Sequence, residues 1–320
     1  MAALDPIRLF FATNDAYAQH LATCLVSLLQ NTPHRQFEAI VAATGLLDLT
    51  KVKLSTTLQQ FRNLNYIIKD VDISRFALTF PVSEHISIET YIRFFIADLV
   101  DANIMKILYM DCDTVAVGSV DELWETNVSE CLFAAVEDPA ADRWADLNIP
   151  REHKYFNAGV LLINLSKWRT LGFGNILIRY MEERKGKLKF WDQDALNACA
   201  YDKWSELPYR WNFQVRVYQE VRANVHLKMS YQQVRKEAVI AKILHYNGAA
   251  KPWVFQQVNP LPMRFVRPYF RYLNKTAWAG FRPHDATRMA RLFDVWYRMA
   301  PFVWRQRFGR LAQKGLRFFR

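Results

Sequence analysis

Through the first third of the chain, short apolar runs alternate with polar, turn-forming stretches at spacings that switch between strand and helix. Ile7–Ala12 reads as a buried strand and Ala16–Asn31 as a helix ended by Thr32-Pro33. Phe37–Ala43 is a second strand, Leu46–Phe61 a second helix and Asn65–Asp70 a third strand. Glu89–Val100 has helical spacing and leads into a fourth strand, Lys106–Met110. This rhythm predicts an α/β fold with a largely parallel sheet and helices on both faces. Ligands bind such sheets at the carboxyl ends of the strands. Thr13-Asn14-Asp15 follows the first strand there, and Asp111-Cys112-Asp113 the fourth. The second half is less regular. It offers a strand over Phe156–Asn164, a helix from an N-cap at Ser166 through Arg184, a helix over Asp192–Ala200 and a late strand, Ile240–Leu244, running into His245.

Composition adds bounds to this picture. The chain has 320 residues, 51% of them hydrophobic, enough to bury a sizeable core. Its four cysteines, Cys24, Cys112, Cys131 and Cys199, form no C-x-x-C pair, which argues against a zinc knuckle or a disulfide framework. The opening residues have no basic leader or cleavage site, and no run approaches the roughly 18 apolar residues of a spanning helix. A cytoplasmic protein is the expectation. The net charge of +11 is concentrated at one end: Arg264–Arg320 holds 14 Lys/Arg against Asp285 and Asp294, so this segment alone carries +12. The break divides the chain into 1–262, a catalytic body, and 263–320, a basic, aromatic, helical extension. The extension mixes Arg with Tyr, Phe and Trp at Arg267–Tyr272, Arg291–Arg298 and Trp304–Phe308, as an interfacial helix on anionic lipid does.

Two constellations carry chemistry. Alternation along an extended chain points Asp111 and Asp113 to one side, where two carboxylates repel unless a cation or proton separates them. A divalent ion held there could neutralise a departing diphosphate. His245-Tyr-Asn-Gly248-Ala-Ala-Lys251-Pro-Trp253 also follows a strand. A neutral imidazole can complete the metal site, Gly248 permits close backbone approach to a phosphate, and Lys251 supplies a point charge. A carboxylate–imidazole site suits Mn²⁺ better than Mg²⁺. No G-x-G-x-x-G follows the first strand, which excludes a dinucleotide-binding dehydrogenase. Two alternatives share the Asp-x-Asp feature: a nucleotide-sugar hydrolase and a silent membrane-associated nucleotide-sugar-binding protein.

Four motifs occur in a set order: Asp111-Cys112-Asp113, Tyr155-Phe-Asn157-Ala-Gly159-Val-Leu-Leu-Ile-Asn164, Asp192-Gln193-Asp194 and His245-x-x-Gly248-x-x-Lys251-Pro-Trp. Together with Ile86-Ser-Ile-Glu-Thr-Tyr-Ile-Arg93, they resemble glycosyltransferase family 8, and within it the bacterial lipopolysaccharide and lipooligosaccharide galactosyl- or glucosyltransferases. The resemblance runs from about Ile7 to Trp253. It implies a GT-A (Rossmann-like) fold, a UDP-hexose donor, Mn²⁺ with Mg²⁺ as a substitute, and retention of anomeric configuration. It places Asp111, Asp113 and His245 on the metal. Ala12, Asn14 and Tyr17 fall on the uridine, with Cys112 beside the nucleotide and Gly248 and Lys251 on the diphosphate. Arg93, Asn157, Gly159, Asp192 and Gln193 fall on the donor sugar. In this chain Asn14 stands where the family has an acidic residue near the uracil, and Ala16 where an asparagine is common.

For the reaction, Gln193, Asp192 and Lys251 are the catalytic candidates. A neutral amide oxygen is a weak nucleophile, and the family pattern commits Asp192 to sugar hydroxyls. The expectation is therefore front-face departure, with charge on UDP stabilised by the metal and Lys251. The expected acceptor is a lipopolysaccharide-type glycolipid at the inner face of the membrane, and nucleic acid is not an expected partner. Glu137 and Asp138 read as solvated loop acids.

Overall fold

The computed structural model describes residues 4–72, 88–184, 187–222, 227–249, 251–254 and 261–283. Strand β1 (Ile7–Asn14) leads into α1 (Ala18–Asn31), then β2 (Phe37–Thr44), α2 (Asp48–Leu58) and β3 (Leu64–Asp70). A 3₁₀ helix over Ile88–Phe95 and a short α3 (Ile96–Leu99) precede β4 (Lys106–Met110) and β5 (Thr114–Ala116). Next come α4 (Asp121–Trp124), β6 (Phe133–Glu137), α5 (Trp144–Leu147), β7 (Phe156–Asn164), α6 (Leu165–Thr170), α7 (Phe173–Glu183) and α8 (Trp191–Ala200). The chain continues through β8 (Trp204–Glu206), β9 (Phe213–Gln214), α9 (Val215–Arg222), α10 (Tyr231–Ile240), β10 (Ile243–His245) and α11 (Met263–Leu273).

Seven strands form the main sheet in the order β3-β2-β1-β4-β7-β6-β8. The first four are parallel, as the β-α-β rhythm predicts, while β7 runs antiparallel to both β4 and β6. The reversal matters for the site. It brings the start of β7, at Asn157, to the same edge as the carboxyl ends of β1, β2 and β4. Alternation along β1 splits the core: Ile7, Leu9 and Phe11 pack with α1 and α2, while Phe10 faces the layer of the 3₁₀ helix and α6–α8. Both faces are thus covered. A second, three-stranded sheet in the order β5-β10-β9 stands beside the first, with a core of its own shared with α9, α10 and α11.

Several elements depart from the sequence expectation. Most of Glu89–Val100 winds as a 3₁₀ helix rather than an α-helix. The helix expected from Ser166 to Arg184 is capped two residues earlier, by the Asn164 side chain accepting from Lys167 N–H. It is then broken at Gly172, whose φ of +56° lies in the left-handed region that glycine enters without steric cost. The late strand begins at Ile243, because α10 runs on to Ile240 behind a Ser230–Gln233 capping box.

The first stretch of the basic extension folds back on the body. Helix α11 buries Phe265, Val266, Tyr269, Tyr272 and Leu273, and turns Arg264, Arg267, Arg271 and, just beyond it, Lys275 outward. The stretches Arg291–Arg298 and Trp304–Phe308 lie outside the described residues. No helix among the described residues is long and apolar enough to cross a membrane. All four cysteines are free.

Candidate active site

A cavity of about 900 Å³ opens along the carboxyl ends of β1 and β4 and the start of β7. At its centre the chain crosses from one sheet to the other through Asp111-Cys112-Asp113. Asp111 N–H continues the β4–β7 ladder onto Gly159 O (2.8 Å), while Asp113 O accepts from Tyr246 N–H beyond β10 (2.9 Å). The two carboxylates sit on one side, as alternation predicts, and the Cys112 thiol points the other way, to Ala12 O (3.2 Å).

His245, at the end of β10, completes the cluster. Its Nε2 lies 3.2 Å from Asp113 Oδ1 and 3.7 Å from Asp111 Oδ2. Ligand atoms of the three residues fall within 4.8 Å of one another. The surroundings aim each donor inward. Tyr109 Oη and Arg93 Nη2 both donate to Asp111 Oδ1, at 2.7 and 2.9 Å, which leaves Oδ2 facing the cluster. His245 Nδ1 lies 2.9 Å from Asn212 Oδ1, and Asn212 spends its own N–H on Asn157 Oδ1 (2.8 Å). The imidazole therefore carries its proton on Nδ1 and presents a lone pair at Nε2. Gly159 is required here: a Cβ at that position would fall 2.7 Å from His245 Nδ1 and 2.8 Å from Asp111 Oδ2. Two carboxylates and an imidazole, their ligand atoms close together and fixed by outer hydrogen bonds, fit a divalent cation. Burial alone would raise the Asp113 carboxyl pKa, but the Lys251 ammonium opposes it, and the group stays below the usual carboxylate range. Lys251 Nζ pairs with Asp113 and also donates to Tyr246 O (2.5 Å).

On one side of this centre stand the residues expected to meet a sugar. Arg93 Nη1 donates to Ala158 O (2.7 Å), and Nε lies 3.2 Å from Asp192. Burial pushes the Asp192 carboxyl up to about 7, against the pull of Arg93. Trp191, which opens α8 just before it, has φ +40°, a conformation a bulky residue holds only where the surroundings impose it. Gln193 Oε1 accepts from Asn157 Nδ2 (2.9 Å) and Ala158 N–H (3.1 Å). Asp194, the third member of that motif, is wholly buried and structural: it accepts from Tyr155 Oη (2.7 Å) and from the N–H groups of Lys189 and Phe190.

On the other side, Ala12, Asn14 and Tyr17 line the cavity with Glu89. Gly248, at φ +79°, sits against the Arg216 stem, and Arg216 Nη2 reaches both oxygens of Asp138 at 3.1 Å. Asp138 is 1% exposed, so it is no solvated loop acid; Glu137 pairs with Lys228 (3.0 Å) and Lys154 (3.3 Å). The structure thus brings the candidate residues of the sequence analysis into the lining of one cavity, except Gly159, which lies against Asp111 and His245. It adds Tyr109, Asn212 and Arg216, which no motif marks, and Glu89, which the Ile86–Arg93 motif contains but to which no role was given. The signal available for Asn212 was only an amide held between two large aromatics, Trp211 and Phe213.

The solved structure of the galactosyltransferase LgtC, in complex with donor and acceptor sugar analogs, superposes with a TM-score of 0.72 at 25% identity, covering 89% of this chain and 99% of that one. General stress protein A of Bacillus subtilis is 31% identical over 273 residues, 83% of this chain and 92% of its own length. The lipopolysaccharide 1,2-glucosyltransferase of Escherichia coli is 23% identical over 276 residues, covering 84% and 78%. The model of the family Glycosyl transferase family 8 matches residues 8–257. A mixed α/β sheet with this strand order, a carboxylate–imidazole cluster where its strands end, and that match together make the chain a member of glycosyl transferase family 8.

Proposed function

We propose that the protein is a metal-dependent, retaining hexosyltransferase, moving galactose or glucose from a UDP-sugar to a lipopolysaccharide-type glycolipid. The observation that carries this reading is the convergence of Asp111, Asp113 and His245 on one point. Asp111, Asp113 and His245 would hold Mn²⁺, which when bound supplies positive charge to the diphosphate leaving group. Lys251, beside the same point, adds its ammonium to that charge and draws the leaving diphosphate to one side of the sugar.

Neither candidate nucleophile is free for covalent work. The Gln193 amide oxygen already accepts two hydrogen bonds, and Asp192 is engaged by Arg93. These contacts favour front-face transfer. The bond from the anomeric carbon to the β-phosphate oxygen breaks, the acceptor oxygen bonds to the same face, and the acceptor proton passes to the departing phosphate. Arg93, Asn157 and Asp192 orient the sugar hydroxyls meanwhile. Changing Asp113 to Asn is expected to abolish transfer and metal-dependent UDP binding together. Full activity of that variant in chelator-treated buffer would remove the metal from the mechanism. UDP release that needs no acceptor would instead identify a hydrolase.

The acceptor's lipid gives a reason for the basic extension. Residues 263–320 serve, in this reading, as a membrane-association segment that keeps the enzyme peripheral to the inner face. Within α11 the aromatics are turned inward, so its contribution is electrostatic, through Arg264, Arg267, Arg271 and Lys275.

A further inference from the structure

The cavity has an order that a nucleotide sugar can follow. Asp192, Gln193 and Asn157 stand at one end, the Asp111–Asp113–Lys251 group in the middle, and Ala12, Asn14, Tyr17 and Glu89 at the other end. A donor with its diphosphate in the middle and its hexose on Asp192 lays its base at the ends of β1 and β2. Tyr17, 36% exposed and facing the cavity, offers that base a ring.

At this end Asn14 is already engaged. Its Oδ1 accepts from Tyr17 N–H (3.1 Å), tying the chain into the entry of α1, and its Nδ2 donates to Glu89 Oε2 (3.1 Å). Glu89 reaches over from the 3₁₀ helix across the ends of β1 and β2, where Thr44 Oγ1 donates to its Oε1. Glu89 is 8% exposed, and its hydrogen bonds come from two neutral donors; among the described residues no Lys, Arg or His pairs with it. Two neutral donors leave lone pairs over on a buried carboxylate, and it lines the cavity.

We propose that Glu89, rather than Asn14, reads the nucleobase, its carboxylate accepting the N3–H of uracil and so selecting uridine over cytidine diphosphate donors. The inference rests on the nucleotide-sugar reading above and refines it. Uracil presents a donor at N3; cytosine, of the same size, presents a lone pair there, which a carboxylate repels. The acidic residue that the family resemblance expects near the base has, in this chain, moved from β1 to the 3₁₀ helix. Asn14 keeps an amide hydrogen for a base carbonyl and holds Glu89 in place.

The test is calorimetric titration of the full chain with Mn²⁺ and UDP, CDP or 3-methyluridine diphosphate. The unaltered protein is expected to prefer UDP to CDP by about ten- to a hundredfold, the range of one hydrogen bond to a charged group. Methylation at N3 should cost as much as the change to cytosine. Glu89→Gln should bring UDP and CDP within about threefold of each other, by weakening the first and strengthening the second, because an amide can donate to cytosine N3. Asn14→Ala should weaken both and lower their ratio less than Glu89→Gln does, because Thr44 still holds the Glu89 carboxylate. An unchanged UDP:CDP ratio in Glu89→Gln, or an equal loss of both, overturns the assignment. So does equal affinity of the unaltered chain for UDP and its 3-methyl derivative, a measurement that needs no variant to fold. Failure of the unaltered chain to bind UDP at all is a separate result: it takes down the nucleotide-sugar reading, and this assignment with it.

Discussion

Gly159 shows how much of this site depends on single atoms. Its missing side chain is the space into which Asp111 and His245 lean, so Gly159→Ala must displace one of them. Overpacking of this kind costs about 1–3 kcal/mol, enough to lower Mn²⁺ affinity by about 5- to 150-fold in calorimetry while the melting temperature falls only modestly. Retained affinity would mean that the three groups are not held as close as described. The same residue illustrates what could be read from the chain. Asp111, Asp113, His245 and Lys251 announce themselves, because charged or imidazole side chains directly after apolar strands have few structural reasons to be there. Asn212 gave no such signal, and Glu89 stood in the Ile86–Arg93 motif with nothing to mark its role. The role of each depends on which distant part of the chain it faces, and that is a property of tertiary packing.

Among the elements, the turn before β9 does work that no motif marks. Asn212 is wholly buried and links His245 to Asn157, and Asn157 in turn holds Gln193. Asn212→Leu should therefore free the imidazole to rotate and cost on the order of 10–100-fold in metal affinity. Asn212→Asp, which keeps an acceptor for Nδ1, should recover part of the loss; equal defects in both variants would reduce the residue to packing. The α6–α7 junction offers a control far from the chemistry. Gly172 has φ +56° with open space around it, so Gly172→Ala carries only the backbone penalty, about 1 kcal/mol in urea unfolding, with unchanged turnover. Helical periodicity runs through this junction, which is why spacing alone gave one helix where there are two. The shared edge of β4 and β7 was equally hidden, since strand direction leaves no mark on local composition.

For the whole molecule, His20 ties three distant stretches together. It stacks on Trp253 with ring centres 3.7 Å apart, and its Nδ1 lies 2.6 Å from Tyr269 Oη on α11. Burial lowers its pKa to about 3, helped by Lys251 and opposed by Asp113. An unfolded chain titrates this group near 6.5, so between the two values the unfolded state binds the extra proton. The stabilisation is complete above pH 6.5 and is lost as pH falls, by on the order of 2 kcal/mol between pH 6.5 and 5. Urea unfolding of the unaltered protein and of His20→Gln should diverge by this amount across that range, a comparison that cancels the opposite contribution of Asp192, whose carboxyl sits near 7 in the folded chain. At the surface, cosedimentation with anionic vesicles should weaken in high salt and on truncation after Trp253. Replacing Arg264, Arg267 and Arg271 with Gln should remove part of it, because an exposed row of like charge acts through screened attraction. The crossing of Asp111-Cys112-Asp113 between the two sheets has one more consequence. An ion clasped there fastens a seam joining two hydrogen-bonded ribbons, so amide exchange along Ile243–Tyr246 should slow when manganese is supplied and quicken on chelation, with the outer strand of the large sheet, Leu64–Asp70, left as it was.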